Sequence, residues 1–156
     1  MGIPLDKGGK TEAANLVTFF VPGPATAKAR PRATTIHGRP RLYTPAATAR
    51  YEQRVALAGY AAMAGRPLLT GALNVTIEVR LTVPASWSGK RQHRAIAGEI
   101  RPTSRPDASN YVKSVEDGLN GVVWRDDAQV VDLRVTKRYH EAPGVLVSVT
   151  PMYIET

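Results

Sequence analysis

Residues 105–139 read RPDASNYVKSVEDGLNGVVWRDDAQVVDLRVTKRY. The stretch divides into a helix, a tight turn and a strand. Val112, Val115 and Leu119 recur at helical spacing and predict a helix over 109–119, which Asn120-Gly121 ends. Asn110, Lys113 and Asp117 lie together on another face of that helix. Around it stand Asp107, Glu116, Asp126 and Asp127, in a chain whose formal net charge is +8. Carboxylates gathered in a basic protein make sense if a divalent cation sits among them and a polyanion binds around them. Magnesium and a nucleic-acid backbone meet both requirements.

Working outward, Leu73, Val75, Ile77, Val79, Leu81 and Val83 alternate with polar residues and predict a strand with one buried face. Residues 129–139 and 144–153 read as two further strands, paired across the turn Ala142-Pro143-Gly144. Leu16–Val21 is apolar on both alternations and predicts a strand buried on both faces. Ala33–Tyr43 reads as a hairpin about His37-Gly38 with Arg39 and Arg41 exposed. Thr44 as N-cap and Pro45 at the first helical position open a helix. Tyr51, Val55, Ala58 and Ala62 form its stripe, and Gly65 and Pro67 stop it. Residues 84–106 read as one long basic loop, and residues 1–14 as a flexible leader before a domain at 15–156. These signals specify a single compact α+β domain, a mixed sheet packed against two main helices.

With 156 residues and no internal repeat, one core is expected. The chain has no cysteine, so disulfides and cysteine-based zinc sites are excluded. His37, His93 and His140 lack ligand spacing. No signal-peptide core and no run near the length of a membrane span is present, so the expected place is the cytoplasm and no membrane partner is expected. An isoelectric point near 10.1 points to an anionic partner, nucleic acid first.

The acidic residues admit ordinary structural roles as well. Asp107 is placed to cap a helix, Lys113 and Asp117 to form an i,i+4 pair, and Asp126-Asp127 to make a turn. Trp87, in the basic loop, suits stacking on a base or the edge of the core equally; Trp124 has apolar neighbours and suits the core. Tyr139 and Tyr153 suit packing along the strands.

The block at 105–132 resembles the RusA family of Holliday-junction resolvases, common in phages and prophages. Its pattern of Pro-Asp, Asn110, Lys113, Asp117, Leu119-Asn120-Gly121, then Trp124, Asp126-Asp127 and Gln129 is the specific part. The upstream KARPR and GRPRLYTPAATARYEQRV stretches resemble phage-type members, so the likeness runs through most of 16–153. The resemblance implies a mixed α/β homodimer in a bacterial host that binds four-way junctions and makes paired nicks in DNA recombination and repair. It implies magnesium as cofactor, with manganese as substitute. It makes Asp107 and Asp127 metal ligands, Lys113 catalytic, and Asp126 a ligand or support. One position departs from the pattern: Ser109 stands where the family carries a second aspartate. Its hydroxyl holds no charge, so either it orients a metal-bound water or Glu116, Asp117 or Asp126 supplies the missing carboxylate. DNA contacts are expected from Lys28, Arg30, Arg32, Arg39, Arg41, Lys90, Arg91, Arg94 and Arg105. The competing readings are a branched-DNA-binding protein that lost catalysis at Ser109, and a basic module for RNA or an acidic protein.

Overall fold

The computed structural model describes residues 15–152, so the leader at 1–14 and Tyr153 lie outside the described residues. Four strands form a mixed sheet: β1 (Val17–Pro22), β4 (Leu73–Leu81), β5 (Val130–Tyr139) and β6 (Gly144–Pro151), in the order β1-β6-β4-β5. A separate hairpin joins β2 (Arg32–Ile36) to β3 (Arg39–Tyr43). The helices are α1 (Ala46–Met63), α2 (Gly89–Ile96) and α3 (Ala108–Leu119), with a short 3-10 turn at Asp127–Gln129.

The alternation over 73–83 does what it predicts as far as Leu81. Leu73, Val75, Ile77 and Val79 are wholly buried against the helices. They meet Val145, Val147 and Val149 of β6 and Val17, Phe19 and Val21 of β1. From the helices come Tyr51, Val55 and Met63 of α1 and Val112, Val115 and Leu119 of α3; Val123 and Trp124 close the layer. Trp124 is fully buried, with its indole N–H donating to Asn120 Oδ1 at 2.6 Å. The opposite face of the sheet is polar: Thr18 donates to Ser148, and Glu78 pairs with Arg80 at 3.0 Å.

Several expectations are corrected. β1 is buried on one face, because it is an edge strand of a sheet covered on one side only; Leu16 is exposed. β5 and β6 do not pair. β6 lies antiparallel between β1 and β4, while β5 runs parallel to β4 at the far edge. Composition explains the exchange. β6 offers three fully buried valines and takes two partners, whereas β5 carries Asp132, Arg134, Lys137 and Arg138, which suit an edge. Pro45 occupies the N-cap position of α1 and Thr44 makes no cap. The stripe of α1 is Thr48, Tyr51, Val55, Gly59 and Met63, with Ala58 and Ala62 only flanking it. The stretch at 84–106 is not one loop, since it contains α2, capped by Ser88, whose hydroxyl accepts from the Arg91 N–H at 3.3 Å. That helix buries only Ala95 and so has no apolar stripe to announce it. Among the described residues no helix is long and apolar enough to cross a membrane.

α1 and α3 touch through glycine. A Cβ on Gly118 would stand 2.8 Å from the Glu52 carbonyl oxygen and 2.9 Å from Val55; one on Gly59 would stand 2.7 Å from Leu119. The bare backbones let the polar face of α3 approach Glu52, and this closeness shapes the site.

Candidate active site

α3 presents Lys113 and Asp117 one turn apart, and the 3-10 turn brings Asp127 to them. The Lys113 ammonium is 3.2 Å from Asp117 Oδ1 and 3.3 Å from Asp127 Oδ2. The other oxygen of Asp117 lies 2.9 Å from the Lys28 ammonium, which also contacts Glu52 Oε1 at 2.6 Å. The result is a chain of alternating charge: Glu52, Lys28, Asp117, Lys113, Asp127. Lys113, next to last in the chain, is 54% exposed, while the other four side chains are largely shielded. The segment bearing Lys28 is fastened along α3. Ser114 Oγ donates to the Thr26 carbonyl at 2.7 Å, and the Lys28 N–H donates to the Asn110 carbonyl at 2.9 Å.

Proton affinities follow the geometry. Hydrogen bonding to Asp117, helped by Asp127, outweighs desolvation and raises the pKa of Lys113, so the ammonium stays charged. Burial works against the ionised form of Asp117, but hydrogen bonds from Lys28 and Lys113 prevail and its pKa is lowered. Burial, then the charge of Asp127, raises the pKa of Glu116. Two negative charges, at Asp117 and Asp127, therefore bear on this carboxyl beside Lys113.

The turn is built by Asp126. Its side chain accepts from the Ala128 N–H at 2.9 Å, a bond that lowers its pKa, while Gln129 Oε1 accepts from the Asp126 N–H at 3.1 Å. This reciprocal cap leaves Asp127 free to face Lys113. Gln129 also donates to the carbonyls of Leu69 and Gly71, tying the turn to the start of β4. Asp107 takes the N-cap position of α3 without a side-chain cap bond, and is exposed. The segment leading to it is clamped from β5: Lys137 donates to the carbonyls of Ser104 at 3.0 Å and Pro106 at 3.1 Å. Ser109 is exposed in the first turn of α3.

The basic residues divide by what already holds them. Lys28, expected to contact DNA, is committed to Glu52 and Asp117 inside the site. Arg94 pairs with Glu99 at 2.9 Å. Arg91 stacks 3.8 Å above Trp87, whose ring meets Tyr139 edge-on at 5.3 Å. Trp87 is thus engaged by two side chains of the protein. Arg30, Arg32, Arg39, Arg41, Lys90 and Arg105 are exposed. Sequence reasoning missed Glu52 and Lys137. Gly118, a glycine inside a helix, is the one signal that another backbone comes close at this point.

A family model for Endodeoxyribonuclease RusA matches residues 22–150. The chain belongs to the RusA family. The matched span contains the whole charge chain, from Lys28 to Asp127. A relative in Bacillus subtilis (strain 168), the uncharacterized protein YqaN, is 39% identical over 137 residues, spanning 85% of this chain and 94% of the relative. RusA-family membership makes the protein one of a group of endodeoxyribonucleases, with the mixed α+β domain described above.

The residues suit a hard cation by their chemistry. The donors gathered around the turn are carboxylate oxygens, and no histidine or cysteine stands among them. Among the described residues no three such side chains form a ready cage. A hard divalent cation that keeps several waters would need only one or two such carboxylates together with phosphate oxygens.

Proposed function

We propose that this RusA-family protein is a magnesium-dependent endonuclease that resolves Holliday junctions and related branched DNA by paired nicks during recombination and repair, acting as a homodimer. The observation that carries the reading is the Lys113 ammonium held 3.3 Å from Asp127, on the very helix and turn that bear the family pattern. Asp107 and Asp127 would hold the metal, with Asp126 shaping the turn. When bound, the ion would polarise the phosphodiester and acidify a water. Lys113 keeps its proton and can swing from Asp127 to a phosphate or leaving oxygen, stabilising negative charge as it develops. Asp117, fixed by Lys28, holds Lys113 over the site until a phosphate arrives. Manganese would substitute, since it accepts the same oxygen donors.

The test uses a labelled four-way junction with purified protein, with and without magnesium. Asp107→Asn and Asp127→Asn should abolish nicking while retaining junction binding. Normal cleavage by Asp107→Asn would overturn the metal assignment. A junction that is bound but never cut by the parent protein would support a binding protein weakened at Ser109.

A further inference from the structure

The β2–β3 hairpin stands apart from the core: every residue of both strands is exposed. An isolated two-stranded hairpin is marginal in water, so its surroundings matter to it. The turn itself is well made. His37 and Gly38 both take positive φ, at 50° and 74°, as a two-residue hairpin loop of the primed type requires.

The register sorts its side chains. Arg32 faces Tyr43, Thr34 faces Arg41, and Ile36 faces Arg39, and these pairs share one face. The other face holds Ala33 against Leu42 and Thr35 against Pro40. One surface of the ribbon thus carries three guanidinium groups, a tyrosine, a threonine and an isoleucine, and the other carries no charge. No Asp or Glu occurs between Glu12 and Glu52, so nothing acidic on this segment offsets the arginines.

We propose that the β2–β3 hairpin is a ribbon that lies in the major groove of a duplex DNA arm, with Arg32, Arg39 and Arg41 facing the DNA. The major groove admits a two-stranded ribbon, and guanidinium groups bind both phosphates and the guanine edge displayed there. Five residues per strand span about 17 Å, enough to follow the groove over roughly half a helical turn. The hairpin follows closely in the chain on the Lys28 segment, which is fastened to α3, so it is tethered near the charge chain. This inference rests on DNA being the partner, as proposed above, and not on cleavage.

The experiment is fluorescence anisotropy of the full chain with a labelled 20-base-pair duplex, in chelator, across a salt series. Arg32→Gln, Arg39→Gln and Arg41→Gln combined should weaken binding at least tenfold. The same variant should flatten the log–log salt dependence by up to about 2.7, at about 0.9 for each phosphate that is no longer neutralised. Lysine at the same three positions should keep most of the slope, and Leu42→Ser on the opposite face should bind like the parent. Bulky sugars on major-groove cytosines should weaken binding, while a minor-groove ligand should not compete. Unchanged affinity and slope in the glutamine variant would overturn the proposal. So would loss of binding in Leu42→Ser with a fall in sedimenting mass, which would make the hairpin an interface between copies. Since the chelator keeps metal away, a failure to nick junctions leaves this result standing, and active nicking does not rescue it.

Discussion

Lys28 is the residue whose place changes the chemistry most. A lysine pinned between Glu52 and Asp117 cannot serve a phosphate without dismantling the charge chain; it orders Asp117, which in turn orders Lys113. Lys28→Met should therefore lower the single-turnover nicking rate on saturating junction about tenfold or more, a cost of about 1.4 kcal/mol in the barrier, while junction affinity stays within a few-fold. Lys28→Arg, which keeps the charge, should recover much of the rate. Affinity falling in step with charge, and rate unaffected, would return Lys28 to the DNA-contacting set. Ser109 allows a second test. Ser109→Asp should lower the magnesium needed for half-maximal nicking, and Ser109→Ala should cut activity modestly; if neither moves the titration, position 109 lies outside the metal shell. A third concerns Tyr51, whose ring is buried in the core while its hydroxyl has no hydrogen-bond partner. Tyr51→Phe should stabilise the fold by about 1 kcal/mol, visible as a rise in Tm. Burial pushes the Tyr51 phenol up to about 12. Its contribution is whole below the ordinary phenol pKa near 10 and is lost as pH rises toward 12, because the unfolded chain releases that proton first. Chemical denaturation at pH 8 and pH 11 should show the parent losing more stability than Tyr51→Phe.

At the scale of elements, the α1–α3 crossing links core packing to the site. Gly118→Ala places a methyl group against the Glu52 carbonyl and Val55, and should destabilise by about 1–3 kcal/mol. It should also disturb the Lys28–Glu52 pair, so nicking should fall further than the unfolded fraction explains. Melting and single-turnover rates on the same preparation check this. The α3 stripe, the alternation of β4 and the hairpin turn were legible in the sequence because each rests on local periodicity or on turn chemistry. The partners of Lys28, the clamp by Lys137 and the placing of β6 between β1 and β4 were not, because they join residues far apart in the chain. α2 escaped for a different reason: a short helix that buries one alanine leaves no hydrophobic period, and only Ser88 marks its start.

For the molecule as a whole, two related cuts in a four-way junction call for two sites related by a twofold axis. Sedimentation at micromolar concentration should show a dimer, with or without junction DNA; monomer under both conditions would count against paired nicking. The clamp from β5 has a consequence of another kind. β5 begins directly after the turn that carries Asp127, and its Lys137 holds the segment that delivers Asp107. The strand therefore works as a ruler, setting the two aspartates by a counted number of residues. The stretch between β4 and Ser104 sets no such distance, since what reaches the site is only its last few residues. Relatives of this protein are then free to vary in length around α2, and a library of insertions should find tolerance there and none between Gln129 and Lys137.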